Sequence, residues 1–215
     1  MAYIQKKTKA HTRYRNAKGD IVCGVTTILN ILNKPALVRW ANQLGLRGID
    51  VGKFVDDLAN VGTLSHLMVE NYLKKQETDF SDFTQNERDR AENAVIKFFD
   101  WEKENDFKVI ESEMKLVSEL YQFGGQADIY CELNGKRTLI DLKTGKACYS
   151  EHHSQCSAYR ALLEENGYPV EDTRILRIGR EEKEGFDDLH VPNMDLHFTK
   201  FLLCLEIYQL NKKLK

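Results

Sequence analysis

The chain has 215 residues, 42% hydrophobic and 30% charged, with a formal net charge of −2. That balance excludes a disordered chain and a globally basic nucleic-acid binder. No apolar run approaches the roughly 18 residues needed to cross a bilayer, and the first residues lack a signal peptide's apolar stretch, so no membrane partner and a cytoplasmic location are expected.

Residues 14–22 read as a hairpin around Asn16-Ala17-Lys18-Gly19-Asp20. Thr26 is expected to cap a short helix reaching Leu32, and Pro35 opens a second helix where a missing N–H costs nothing. Gly45 and Gly48 interrupt the pattern before a helical stretch over 51–60. Leu64, Leu67, Met68 and Leu73 then recur at helical spacing over 62–75. Thr84-Gln-Asn-Glu87 is a capping box that starts a long polar helix ending near Asp106. Strands follow over 108–119, 126–133 and 136–143, with Gly124-Gly125 as one turn and Asn134-Gly135 as a tight hairpin turn. A helix over 150–166 stops at Gly167, a strand covers 173–178, and a helix over 196–210 closes the chain. Helices, then βββαβ, then a helix make an α/β fold, a mixed sheet covered by helices. The helical region 1–106 and the core 107–215 are expected to form one compact domain.

Five cysteines, Cys23, Cys131, Cys148, Cys156 and Cys204, are scattered without a CxxC pair, which favours buried free thiols over disulfides or a zinc ribbon. Cys148, His152 and Cys156 fall at i, i+4 and i+8, a weak metal set because zinc usually draws ligands from more than one element. Positive charge gathers at the ends, in Lys6, Lys7, Lys9, Arg13, Arg15 and Lys18 and in Lys212, Lys213 and Lys215. Solvated chain ends share that composition.

A two-residue Asn-Gly turn fixes strand register. Leu133 then faces Lys136, Glu132 faces Arg137, Tyr130 faces Leu139, and Ile129 faces Ile140. The same register sets Asp128 across from Asp141, with Lys143 two residues on and on the same face. Like charges directly opposite destabilise a ladder, and a divalent cation between them removes the repulsion; oxygen ligands suit Mg²⁺ or Mn²⁺. The competing readings are a solvated strand face where two aspartates meet by chance, and a β-bulge that separates them.

Gly62-Thr-Leu-Ser-His66, Gly125-Gln-Ala-Asp128, Leu139-Ile-Asp141-Leu-Lys143-Thr-Gly-Lys146 and Gln155-Cys-Ser-Ala-Tyr159 resemble, in that order, the motifs of the RecB-like branch of the PD-(D/E)XK nucleases. The chain is similar in this to stand-alone phage-type exonucleases and to the mitochondrial genome maintenance exonuclease. The resemblance implies a restriction-endonuclease-like core and a Mg²⁺- or Mn²⁺-dependent exonuclease acting on single-stranded or end-containing DNA in replication, recombination or repair. A recombinase or single-strand-binding protein would be its partner. Asp128, Asp141, His66 and the carbonyl of Leu142 would hold the metal, and Lys143 would orient or help deprotonate the attacking water. Gln155 and Tyr159 would sit beside the active site, and Thr144 and Lys146 would touch DNA with them. The third-motif acid is aspartate rather than glutamate, and the proline of the family name is absent. Relatives with an iron–sulfur cluster need cysteines grouped near the C-terminus, where only Cys204 stands, so no cluster is expected.

Glu70 and Glu113 are further ligand candidates set against the ordinary reading of solvated glutamates. Gly145-Lys146 fails as a phosphate loop, because Ile140 and Ala147 stand where glycine and a hydroxyl residue are needed. Arg39-Trp40 and Thr26-Thr27 offer charge and stacking to DNA, and packing and capping to the core. The alternatives to an exonuclease are a non-catalytic DNA-binding module with a degenerate nuclease fold and a structure-specific endonuclease.

Overall fold

A two-strand hairpin, β1 (Tyr14–Arg15) and β2 (Ile21–Gly24), closes through Asn16, whose side-chain oxygen accepts the backbone N–H groups of Lys18 and Asp20. The computed structural model describes residues 12–214, so Lys6, Lys7, Lys9 and Lys215 lie outside the described residues. Helix α1 (Val25–Leu29) follows β2 directly; Gly24 stands at its cap, and Thr26 lies inside the first turn instead of capping it. Helix α2 (Pro35–Leu46) begins at the proline, as read from the sequence. The two helical stretches around residue 60 are one helix, α3 (Val51–Leu73), whose N-terminus is capped by Asp50 through Lys53 N. Gly62 does not break α3, because one interior glycine costs only about 1 kcal/mol and packing against the sheet offsets it.

Helix α4 (Gln85–Lys103) carries the full capping box: Thr84 N–H donates to Glu87 at 2.7 Å, and Glu87 N–H donates to Thr84 Oγ1 at 3.3 Å. Glu87 also accepts from Asn60 on α3, so this glutamate is buried rather than part of a solvated face.

Strands β3 (Phe107–Ser118), β4 (Phe123–Leu133) and β5 (Lys136–Thr144) form the antiparallel part of the sheet. The β3–β4 turn lies at 119–122, where Gln122 has φ +59° and donates its N–H to Ser118. Gly124 and Gly125 are inside β4, correcting the turn expected there. Tyr14 lies across Gly124 and Tyr159 across Gly125, and a side chain at either glycine would meet those rings. Asn134 and Gly135 both have positive φ, as the tight hairpin requires, and β4 and β5 pair in the expected register from Leu133↔Lys136 to Ile129↔Ile140. Helix α5 (Ser150–Glu165) leads to β6 (Asp172–Ile178), parallel to β5. An unanticipated strand, β7 (Phe186–His190), pairs antiparallel with β6 before α6 (Met194–Lys213). Its sequence, Phe-Asp-Asp-Leu-His, is too polar to announce a strand. Arg177, buried on β6, holds it by an ion pair to Asp187 and by donation to the Glu184 carbonyl.

Among the described residues, seven strands form one mixed sheet in the order β1-β2-β4-β5-β6-β7, with β3 on β4. One face packs α1, α5 and α6 against Phe123, Ala127, Tyr130 and Leu139. The other packs α3 and α4 against Ile129, Cys131, Ile140, Leu142 and Leu176. No helix among the described residues is long and apolar enough to cross a membrane. All five cysteines are free thiols, three of them buried.

Candidate active site

A strand has two edges. One edge of β4 is taken by β3 along its length; the other is shared by β2 at Phe123 and Gly124 and by β5 from Ile129 onward. The stretch 125–128 lies in the fork between β2 and β5. There β5 leaves β4 to follow β6, pairing Asp141 with Ile175 and Lys143 with Arg177. Asp128 and Asp141 therefore do not continue the β4–β5 ladder as facing partners. Asp128 instead reaches across the fork, and its Oδ2 accepts the Leu142 N–H at 2.8 Å.

Helix α3 brings His66 to the same place, with Nδ1 3.7 Å from Asp128 Oδ2. Gly62, one turn earlier, explains the approach: a methyl group there would sit 2.7 Å from Thr144 Oγ1 on β5. The spacing in GxxxH thus has a physical content, a bare helix surface against β5 and a histidine one turn on.

Glu113 completes the cluster. His66, Glu113 and Asp128 each offer a ligand atom, all within 4.8 Å of one another. Glu113 has φ +55° in the middle of β3, rare for a residue with a side chain and worth roughly 1–3 kcal/mol of strain. The β3–β4 register is the same on either side of Glu113, so this conformation is confined to the one residue opposite Asp128. Gln126 donates a hydrogen bond to its carboxylate. Glu70, by contrast, pairs with Lys74 at 2.8 Å on the helix surface.

Asp141 stands beside this cluster, not in it. It is fully buried, and its Oδ2 forms an ion pair with Lys143 Nζ. Neither oxygen accepts a properly directed hydrogen bond from the described residues. Burial raises the Asp141 pKa, Lys143 opposes the rise, and Asp128 adds to it. For Lys143, burial disfavours the charge, but the carboxylates of Asp141 and Asp128 outweigh it and hold the ammonium protonated. Lys143 also donates weakly to the Leu142 carbonyl at 3.5 Å. The two residues share a face, as their spacing predicts.

Helix α5 covers the pair. Gln155 donates to Tyr159 Oη at 2.8 Å, joining the two residues expected to act together. Burial, with Asp141 and Asp128 next, pushes the Tyr159 hydroxyl well above its usual range. His152, which the sequence offers only as part of a weak metal set with Cys148 and Cys156, lies on the same helix. Its Nδ1 accepts the Tyr149 N–H at 3.2 Å, which leaves the proton on Nε2. Burial, then the Lys143 charge, lowers its pKa to about 4, so the ring is neutral at neutral pH. Cys148, His152 and Cys156 form no metal cluster among the described residues. Lys146 is exposed, with Glu184 at 3.8 Å.

These donors fit a hard divalent ion. An imidazole and two carboxylates converge, and a buried third carboxylate lies alongside with its oxygens short of hydrogen bonds.

The model of the PD-(D/E)XK nuclease superfamily matches residues 39–188, and the chain belongs to that superfamily. Among solved structures, a candidate exonuclease from Eubacterium rectale is similar at a TM-score of 0.51 and 14% identity, over 70% of this chain and 65% of that one. The chain thus spans just under two thirds of that protein's length. An alkaline exonuclease from Laribacter hongkongensis matches at a TM-score of 0.36 and 13% identity, over 73% of this chain and 89% of that one. No curated protein matches the chain.

Proposed function

We propose that the chain is a Mg²⁺- or Mn²⁺-dependent deoxyribonuclease, an exonuclease acting on single-stranded or end-containing DNA. Cytoplasmic DNA replication, recombination or repair, with a recombinase or single-strand-binding protein presenting the strand, belongs to the same reading. The observation that carries it is the meeting, at one strand fork, of the His66–Glu113–Asp128 cluster with the buried Asp141–Lys143 pair.

His66, Glu113, Asp128 and Asp141, with the Leu142 carbonyl, would hold the metal. When bound, that ion supplies neutralisation of charge on the phosphate. Lys143, ion-paired with Asp141, would orient or help deprotonate the attacking water. Gln155 and Tyr159 position the strand beside it, and Thr144 and Lys146 extend the contact along the backbone.

The test is digestion of end-labelled linear and circular DNA, single- and double-stranded, with Mg²⁺, with Mn²⁺ and with chelator. Linear single strands should be degraded with either metal and spared by chelator, while circles persist. Cutting of circles would make the enzyme an endonuclease. Binding without cutting on every substrate would make it a degenerate module.

A further inference from the structure

Helix α1 packs on one face of the sheet and the second half of α3 on the other, so α2 and the first half of α3 cross between faces. The crossing is pinned at both ends. Lys34 pairs with Glu151 on α5 at 2.9 Å, beside His152, and Asp57 pairs with Arg90 on α4 at 2.6 Å. Between these anchors the arm is poorly covered, and Leu44 is the sole buried residue of α2. Leu37 is 52% exposed, Val38 69%, Phe54 37% and Val55 43%. Trp40 and Phe54 join the two helices into one patch, with ring centroids 6.0 Å apart. Contiguous exposed apolar surface of this kind marks a binding site more often than scattered residues do.

Charge argues for the occupant. The cations of α2 and its C-cap, Arg39 and Arg47, are both exposed and α2 carries no acid; on the first half of α3, Asp50 pairs with Lys53 and Asp57 with Arg90, and Asp56 is the remaining acid. Along α3, Phe54 precedes His66 by twelve residues, about 18 Å at 1.5 Å per residue. Aromatic rings interleaved with cations, on a rigid arm leading to the candidate site, are the recognition chemistry of unpaired bases on a phosphate backbone.

We infer that the α2–α3 arm is a single-strand platform, with Trp40 and Phe54 stacking on bases and Arg39 and Arg47 meeting phosphates. This rests on the nuclease reading of the site, which the following experiment tests separately. Binding of a labelled oligothymidylate, an abasic strand of equal length and a blunt duplex is measured in chelator by anisotropy. Wild type, Trp40→Ala, Phe54→Ala and Trp40→Phe are compared, with thermal melting alongside.

Each alanine variant should bind the oligothymidylate about tenfold more weakly, within the range for loss of one stacked base. Trp40→Phe should restore most of that affinity. The abasic strand should bind wild type weakly and be insensitive to the substitutions. Equal loss on all three ligands, unchanged oligothymidylate binding, or no strand binding by wild type would overturn the inference. So would a dimer at assay concentration that Val38→Glu dissociates without affecting strand affinity, since the patch would then belong to a second copy. Base-dependent binding without digestion under any metal would sink the nuclease reading and leave the platform standing.

Discussion

Glu113 and Asp141 show what single residues contribute and how far each could be read beforehand. Lys143 beside Asp141 was legible from a period of two, whereas the turn register set Asp128 directly across from Asp141 and the fork separates that pair. Glu113 was a candidate beside Glu70, and nothing local separated the two, because its place depends on a left-handed backbone that no local signal announces. That conformation makes a prediction of opposite signs. Glu113→Gly removes the strain and should raise the melting temperature of metal-free protein, or leave it unchanged, while weakening Mn²⁺ binding and cleavage. Glu113→Gln keeps the strain and should lose binding with no stability gain; calorimetry with metal titration separates the two. The Asp141–Lys143 pair predicts unequal losses. Asp141→Asn should abolish cleavage and weaken metal binding. Lys143→Ala strands a buried carboxylate, which should cost about 3 kcal/mol in chelator. Part of that should return with Mn²⁺, while cleavage stays down by roughly 100-fold or more. His152 sets a pH dependence. Its folded pKa, about 4, lies below the unfolded value of 6.5, so the unfolded state takes up the proton first. Its contribution is complete above pH 6.5 and lost as pH falls toward 4. In chelator, His152→Gln should flatten the melting curve over that window, and an unchanged slope would remove His152 as its source.

At the scale of elements, periodicity, the capping box and the hairpin turn were legible, while the Thr26 cap and the tertiary contacts were not. The capping box at Thr84 and the Asn134-Gly135 hairpin are local devices, and both stand where the sequence puts them. Gly124-Gly125 resembles a turn in isolation; what makes it strand is the pair of tyrosine rings arriving from β1 and α5. Strand β7 depends on Arg177 holding an acidic segment, a long-range contact invisible to pattern. The fork between β4 and β5 also escapes the register rule, which assumes that pairing continues until the strand ends. Gly62 gives the element-scale prediction. Gly62→Ala should push α3 away from β5 and carry His66 off the cluster, lowering cleavage more than stability. Thr144→Ala makes room, so the double variant should recover part of the lost activity. Strict additivity in that double-mutant cycle would mean that the two positions do not touch.

For the whole molecule, a net charge of −2 gives no general attraction to DNA, so on the proposed reading association would rest on local contacts at the fork, the arm and α5. Total charge could not show where cations gather, because that depends on how the chain crosses from one sheet face to the other. Lys143 is tied to Asp141 and Arg90 to Asp57, which leaves exposed groups such as Lys146, Arg39 and Arg47 to meet phosphates. A strand engaging about three or four phosphates releases counterions with a log–log salt slope near −2 to −3, since each phosphate on a single strand contributes about −0.7. Affinity for oligothymidylate in chelator should therefore fall by roughly tenfold or more between 50 and 200 mM salt. Arg39→Ala and Lys146→Ala should each make the slope shallower by about one phosphate's share, while Trp40→Ala should lower affinity without changing it, because stacking releases no ions. A slope near zero in wild type would mean that phosphates do not hold the ligand, and a nucleic-acid substrate would have to be abandoned.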